Sequence, residues 1–145
     1  MADIELSVEI DALPNRVWRA LCDPAEVGAW DSGVEAALDA PPDYPQPGQH
    51  VRWRCRSGFF RTLHDRPQEV VPEERLRSLL SIGFVRYDET YTLTPIERGT
   101  RLAVALDVTL APVIGIVISR LQAVADARLA FEASLANIKR HCETT

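Results

Sequence analysis

Hydrophobic and polar residues alternate along most of the chain with the period of two that is typical of β-strands with one buried face. In the first strand, the apolar residues Ile4, Leu6, Val8 and Ile10 alternate with polar ones. The same alternation, bounded by glycine and proline turns, predicts six more strands. Because no helical segment separates them, we expect an antiparallel meander. The six strands are predicted at Val34–Leu38, Val51–Arg56, Phe59–Glu69, Leu76–Ile82, Tyr87–Leu93 and Leu102–Leu110.

Two short helices are predicted between the first strand and this meander. Pro14 suits the first position of a helix that ends near Asp23. Asp23 and Pro24 then provide the N-cap and first-turn proline of a second helix, which should continue to about Trp30.

After Pro112 the apolar residues follow a helical spacing of three and four. This spacing predicts a helix of about thirty residues, about 45 Å long. Because such a helix has only the apolar face of the sheet to pack against, the sheet must curve around it. The predicted fold class is therefore α+β, a helix-grip fold in which a seven-stranded curved antiparallel sheet surrounds a long C-terminal helix, within a single domain of residues 1–145. The apolar positions of this helix are Ile114, Val117, Leu121, Val124, Phe131, Leu135, Ile138 and Cys142.

Several short segments, in this order and spacing, carry a family resemblance. They are the opening strand, Val17–Leu21, Asp23-Pro24, Trp30, Glu69–Pro72, Arg75-Leu76, Gly99–Leu102 and Leu135–Lys139. Through them the whole chain resembles the START-like, or birch-pollen-allergen-like, helix-grip superfamily, and within it the polyketide cyclase/dehydrase and lipid transport branch. The resemblance implies an elongated cavity between sheet and helix that holds a lipid, sterol, hormone, polyketide or aromatic compound. It transfers no catalytic residue, because these differ between the branches.

Composition narrows the expected partners and location. The net charge of −5 argues against nucleic acid, which requires a basic face. The longest apolar stretch, Leu110 to Ile118, is too short to cross a bilayer, so we expect no stable membrane insertion. Acidic Asp3 and Glu5 stand where a signal peptide would carry lysines, and the three cysteines fit no disulfide framework. A cytoplasmic protein with reduced thiols is expected, and a homodimer is left open.

The common motifs of enzyme chemistry are not found in the sequence. It contains no glycine-rich phosphate loop, no Gly-x-Ser-x-Gly nucleophile elbow and no His-Glu-x-x-His. We therefore expect no cofactor and no metal, and a small apolar ligand as the partner.

Arg128 is the clearest polar candidate for ligand contact. It occupies the slot between Val124 and Phe131 in the apolar repeat of the long helix and should point towards the cavity. There its guanidinium would anchor a carboxylate, phenolate or phosphate of the ligand. Alternatively, the guanidinium reaches solvent at an edge or pairs with Glu132 one turn on.

Glu89 and His64 are the candidates for proton transfer. Strict alternation places Glu89 on the apolar side of its strand, where burial would raise its pKa. A one-residue bulge would turn Glu89 outward, and inside the cavity it could also simply neutralise Arg128. His64 shares a face with Phe60 and could exchange a proton near neutral pH, although a half-exposed structural histidine is the commoner case.

Two functions follow from this pattern. A carrier that binds a small hydrophobic or aromatic molecule requires only the fold and its cavity. An enzyme of the cyclase or dehydratase type also requires Glu89 or His64 as acid or base, with an oxyanion donor within about 3 Å of the same substrate site. In either case the predicted ligand-binding residues are Arg128, Trp53, Phe60, Tyr87, Tyr91, Val104 and Val124.

Overall fold

The computed structural model describes residues 1–112 and 119–144. The predicted α+β helix-grip architecture is confirmed, with two short helices after the first strand and a long C-terminal helix. The expected helical positions Ile114 and Val117 lie outside the described residues. In chain order the elements are β1 (Ile4–Ile10), α1 (Pro14–Cys22), α2 (Pro24–Trp30), β2 (Val34–Ala37), β3 (Val51–Cys55), β4 (Thr62–Val71), β5 (Arg75–Ile82), β6 (Val85–Ile96), β7 (Gly99–Leu110) and α3 (Arg120–Thr144).

The seven strands form one curved, open antiparallel sheet in the order β1-β7-β6-β5-β4-β3-β2. Strands β2 to β7 follow one another as the predicted meander, and β1 pairs with β7 so that Ile4 lies opposite Leu106. The pairing of β4 with β5 contains a bulge between Pro67 and Glu69. The pairing of β5 with β6 is regular throughout. Regular pairing keeps alternate side chains of β6 on one face.

The long helix packs most closely on one part of the sheet. Helix α3 contacts β1, β7 and both short helices. Leu135 and Ile138 of the helix are buried there in one cluster with Ile4, Leu102 and Leu106 of the strands. Burying an aliphatic side chain of this size contributes roughly 1.5–3 kcal/mol. Because the contacts of α3 concentrate at this edge, space remains between the helix and the middle strands.

Several strand boundaries differ from the prediction, and the start of β4 affects a predicted site residue. The strand expected to begin at Phe59 begins at Thr62. Gly58 has a positive φ of 97°, and the Cys55 N–H donates a 2.9 Å hydrogen bond to the Arg61 carbonyl. These features close a hairpin between β3 and β4, so Phe59 lies in the turn and is exposed.

Candidate functional site

A cleft lies between α3 and the strands β4, β5 and β6. Its outer compartment has a volume of about 310 Å³. This volume is at the lower end of the range for small-molecule sites, about 300–1,000 Å³. The rim includes the exposed residues Ser57 and Ala130, so the compartment opens to solvent there. Its apolar wall consists of Val34, Leu63, Leu80, Ile82, Tyr87 and Phe131.

A smaller inner compartment of about 60 Å³ adjoins the outer one. It has room for a few atoms, so it suits the head group of a ligand rather than its body. The residues that line this compartment alone are Leu21, Val27, Trp30, Tyr44, Trp53, Asp65, Leu76, Ser78 and Tyr91. The residues that line both compartments are Asp31, Val34, Leu63, Leu80 and Glu89.

Glu89 lies on β6 where the two compartments meet. Regular pairing places it opposite Ser78 of β5, on the inner face of the sheet. The residue is only 9% exposed, and no hydrogen bond or ion pair joins its carboxyl group to another described residue. Burial raises the pKa of Glu89 well above the ordinary value, and the charges of Asp65 and Asp31 raise it further. Glu89 therefore favours the protonated form, which can donate a hydrogen bond.

Asp65 faces the same cleft from β4 but has partners. Its Oδ2 accepts hydrogen bonds from Tyr44 Oη at 2.7 Å and Trp53 Nε1 at 3.1 Å. Its Oδ1 is buried and has no hydrogen-bond partner within the described ranges. Burial raises the pKa of Asp65, while contacts with the Tyr44, Trp53 and Ser78 side chains act in the opposite direction. Asp65 is therefore the carboxyl group that ionises more readily than Glu89.

Asp31 brings a third carboxyl group to the cleft from the turn after α2. Its Oδ1 accepts hydrogen bonds from the N–H groups of Gly33 at 2.7 Å and Val34 at 3.2 Å, which shapes the entry into β2. Burial raises the pKa of Asp31 and these two N–H groups oppose the rise. Helix α2 packs closely on β2 beside this turn, since a Cβ atom at Gly28 would lie 2.5 Å from the Glu35 carbonyl oxygen.

Four of the predicted site residues line the cleft. Glu89 contributes to both compartments, and Trp53 and Tyr91 line the inner one. Tyr87 lines the outer compartment, where its ring faces that of Phe131 on α3 at a centroid distance of 6.5 Å. Their contact with a ligand stays a prediction.

The expectation that Arg128 points into the cavity is wrong, because this residue is exposed and does not line the cleft. The face of α3 turned inward passes through Ala123, Ala127 and Ser134 instead. The predicted repeat has a period near 3.5, and on a straight helix such a repeat drifts by about 20° per heptad. This drift turns Arg128 outward. Val124, which shares the predicted repeat, is half-buried against the core and does not line the cleft either.

His64 is also outside the cleft. The inner face of β4 carries Asp65, so the neighbouring His64 side chain lies on the outer face of the sheet. There its Nδ1 lies 2.8 Å from His50 Nε2. Partial burial lowers the pKa of His64, and His50 and two arginines lower it further. A role for His64 in proton transfer within the cleft is not compatible with this position.

Phe60 and Val104 were predicted to line the cleft, and the structure places neither of them there. Phe60 precedes β4 in the hairpin and packs edge to face on Phe84, with ring centroids 5.1 Å apart, away from the cleft. It leaves the predicted face because β4 begins only at Thr62. Val104 is buried within the core between neighbouring strands and does not line either compartment.

Asp65, Tyr44 and Asp31 are among the polar residues of the cleft that sequence reasoning missed. Asp65 had a signal, because it alternates with Leu63 on the apolar face of the same strand. Tyr44 lies in a proline-rich connection and Asp31 at a helix end, where no periodicity indicates which way a side chain points.

The cleft has the chemistry of an apolar site with acidic groups. Within residues 1–112 and 119–144, no three His, Cys, Asp or Glu side chains are grouped so that they could hold a metal ion. In the same ranges no helix is long and apolar enough to span a membrane.

Comparisons with known proteins agree with this architecture. Residues 1–143 match the family described as polyketide cyclase / dehydrase and lipid transport. No curated protein matches the chain. Among solved structures, protein CV1439 from Chromobacterium violaceum is similar with a TM-score of 0.77 and 23% identity, covering 98% of this chain and 97% of that one.

Two other solved structures extend the comparison. A protein from Rhodobacter sphaeroides has a TM-score of 0.69 and 26% identity, covering 96% of this chain and 87% of its own. DynU16, a protein of the dynemicin biosynthetic locus, has a TM-score of 0.70 and 22% identity. That match covers 97% of this chain but 47% of DynU16.

Proposed function

The chain belongs to the polyketide cyclase/dehydrase and lipid transport family, and from this premise we propose that it binds a small hydrophobic or aromatic molecule in the cleft between sheet and helix. The ligand is a lipid, a polyketide or a similar compound, and the protein acts in the cytoplasm. The observation that carries the proposal is the cleft itself, whose outer compartment of about 310 Å³ has an apolar wall and an open rim.

The carboxyl group of Glu89 supports the same proposal. It is buried at the junction of the two compartments without a hydrogen-bond partner among the described residues. A buried polar group left unpaired costs about 1 to 3 kcal/mol. The fully buried cleft atom without a partner in the described ranges is Asp65 Oδ1, and a ligand donor there would remove this cost, so the site is better satisfied when occupied.

The direct experiment combines ligand identification with a cleft-blocking variant. Small molecules extracted from the purified protein are identified by mass spectrometry, and each is titrated back while tryptophan emission is followed. Trp53 should report binding because its indole lines the inner compartment and donates to Asp65. Ala130→Phe places a ring at the exposed rim and should weaken binding by about tenfold or more.

Two control variants keep this experiment specific. Ala125→Phe makes the same change at an exposed position of α3 outside the cleft and should leave affinity unchanged. Arg128→Leu should also leave the ligand affinity unchanged, because Arg128 is exposed. If no apolar compound binds saturably, or if Ala130→Phe and Ala125→Phe bind equally well, the cleft is not the binding site.

An enzyme of the cyclase or dehydratase type is the second candidate function. One observation favours it: the cleft brings together two carboxyl groups whose pKa values burial raises to different extents. Glu89 favours the protonated form and would act as general acid, while Asp65 ionises more readily and would act as base. The hydroxyl of Tyr91, whose pKa burial raises, supplies a neutral donor for an enolate oxygen.

Deuterium exchange tests this second function without knowledge of the natural substrate. Phenylbutanone is incubated with the protein in D₂O, and the loss of its α-proton NMR signals is followed. An enzyme should accelerate exchange, and Asp65→Asn should abolish the acceleration while the ketone still binds. Exchange at the buffer rate with bound ketone would rule out this chemistry and leave the carrier function.

A further inference from the structure

We propose, as a refinement that rests on the proposed function, that the ligand carries a protonated amine. Its ammonium group lies in the inner compartment beside Asp65 and Glu89, and its apolar body fills the outer compartment.

The charge of the cleft is the first observation. Four acidic residues line the two compartments, and no lysine, arginine or histidine from the described ranges does so. The chain contains 16 lysines and arginines, so basic side chains are absent from the cleft lining in the described ranges although the chain has many of them. Residues 113–118 and 145 include no basic side chain that could supply the missing charge. The acidic residues are Asp31, Asp65, Glu89 and Asp126.

The second observation is that two of these carboxyl groups have unused acceptor atoms. Glu89 is 9% exposed and makes no hydrogen bond or ion pair within the described ranges. Asp65 is 4% exposed, and its buried Oδ1 has no hydrogen-bond partner there. An ammonium group has three donors and no acceptor, so it complements two such carboxyl groups directly. A carboxylate or phosphate ligand would instead bring a further negative charge beside Asp65, where no basic side chain of the described residues lines the cleft to balance it.

The size and the aromatic lining of the inner compartment restrict the cation further. A volume of about 60 Å³ admits an amine head group and excludes an aromatic ring system. The rings of Trp30, Tyr44, Trp53 and Tyr91 border this space, and aromatic rings attract organic cations. No group of three metal-ligating side chains is found in the described ranges, and this favours an amine over a metal ion as the bound cation.

The protonation of Glu89 gives a thermodynamic signature for this ligand. The titratable groups that line the two compartments together with Glu89 are Asp31, Tyr44, Cys55, Asp65, Tyr87, Tyr91 and Asp126, and Ser78 lies opposite Glu89 on β5. None of them is cationic, so burial and negative neighbours keep the proton on Glu89 in the empty cleft. An ammonium group favours the ionised carboxylate. Binding should therefore release a proton from Glu89 to the buffer.

The experiment compares three probes with the same phenylbutyl body. Phenylbutylamine, phenylbutanol and phenylbutyrate are titrated by calorimetry in two buffers of different ionisation enthalpy. The amine should bind about tenfold to a hundredfold more tightly than the alcohol and release protons, and the acid should bind most weakly. Equal affinity of amine and alcohol, or tighter binding of the acid, would overturn the inference and leave the proposed function intact. Absence of binding by all three would contradict both.

Variants then assign the effect to the two carboxyl groups. Glu89→Gln and Asp65→Asn should each reduce amine affinity about tenfold while alcohol affinity stays within about twofold. Retained alcohol binding demonstrates that the variant is folded with its cleft intact. Glu5→Gln removes a charge at an exposed position of β1 and should affect neither probe. A loss of amine preference in Glu5→Gln, or its full retention in both cleft variants, would contradict a local ion pair.

Discussion

Asp65 and Glu89 face the same cleft from β4 and β6, but only Asp65 receives hydrogen bonds from other described side chains. This asymmetry follows from what borders each strand. Tyr44 and Trp53 donate hydrogen bonds to Asp65, whereas no described side chain donates to Glu89, whose neighbours include the acidic Asp31 and Asp65. Because burial raises the pKa of Glu89 more than that of Asp65, the two carboxyl groups should contribute differently to the pH dependence of stability.

Glu89→Gln should change how stability depends on pH. The folded-state pKa of Glu89 lies well above the ordinary value of 4.5, so the folded protein binds more protons than the unfolded chain above that pH. The free energy of unfolding of the wild type should therefore fall as pH rises from 4.5 towards the folded-state pKa, by up to about 1.4 kcal/mol per pH unit. Glutamine does not ionise, so the variant should lack this loss. Urea unfolding between about pH 4 and about pH 8 measures the difference.

The exposed residue Glu5 provides the matched control. Glu5→Gln makes the same substitution at an exposed position and controls for the loss of one carboxylate. Parallel pH curves for the wild type and Glu89→Gln would mean that Glu89 titrates normally, which is incompatible with its burial.

Tyr44→Phe should destabilise the protein by about 1 to 3 kcal/mol, because it removes the 2.7 Å hydrogen bond to buried Asp65 Oδ2. The hydroxyl lowers the pKa of Asp65, so the destabilisation should increase as pH rises and Asp65 ionises. Chemical unfolding of Tyr44→Phe, Asp65→Asn and the double variant measures the coupling. Tyr87→Phe removes a hydroxyl that does not donate to Asp65 and should show no coupling.

The fold was predictable because the strands obey a period of two over long stretches. Strand β6 has no bulge, so strict alternation correctly placed Glu89 on the inner face. Strict alternation failed for Phe60, because this residue precedes β4. The direction of the Phe60 side chain is therefore set by the hairpin turn and not by strand pairing.

The site was less predictable because its polar groups depend on tertiary structure. The predicted inward direction of Arg128 is wrong because the period of the helix differs slightly from that of the apolar repeat. The residues that do face inward, Ala123 and Ala127, are too small to give a strong hydrophobic signal. Tyr44 reaches Asp65 from an irregular connection, and no periodic pattern describes such a segment.

Gly28→Ala should destabilise the protein by about 1 to 3 kcal/mol through overpacking. A Cβ atom would lie 2.5 Å from the Glu35 carbonyl oxygen, and backbone atoms cannot rotate away as a side chain can. The helix α2 would have to move from β2, and Asp31 at its end would move with it. Ala29→Gly changes the neighbouring exposed position and is the control for altered helix propensity. Thermal unfolding that leaves Gly28→Ala as stable as the wild type would contradict this close approach.

His64 should titrate below the ordinary histidine pKa of 6.5, mainly because partial burial disfavours its charged form. The folded protein then binds fewer protons than the unfolded chain, so His64 lowers stability as pH falls from 6.5 towards the folded-state pKa. His50→Gln removes a charge that lowers this pKa, and should raise the pKa of His64 only in part, since the burial remains. NMR titration of the imidazole C–H signals measures the pKa of His64 in the wild type and in His50→Gln.

The same titration tests where His64 lies relative to the cleft. Its side chain is on the outer face of the sheet beside His50, on the opposite side from Asp65 and Glu89. A saturating cleft ligand should therefore leave the pKa of His64 unchanged while tryptophan emission changes through Trp53. Because none of the charges that shift the pKa of His64 lies in the cleft, a large shift of the His64 pKa on binding would place the ligand on the outer face instead.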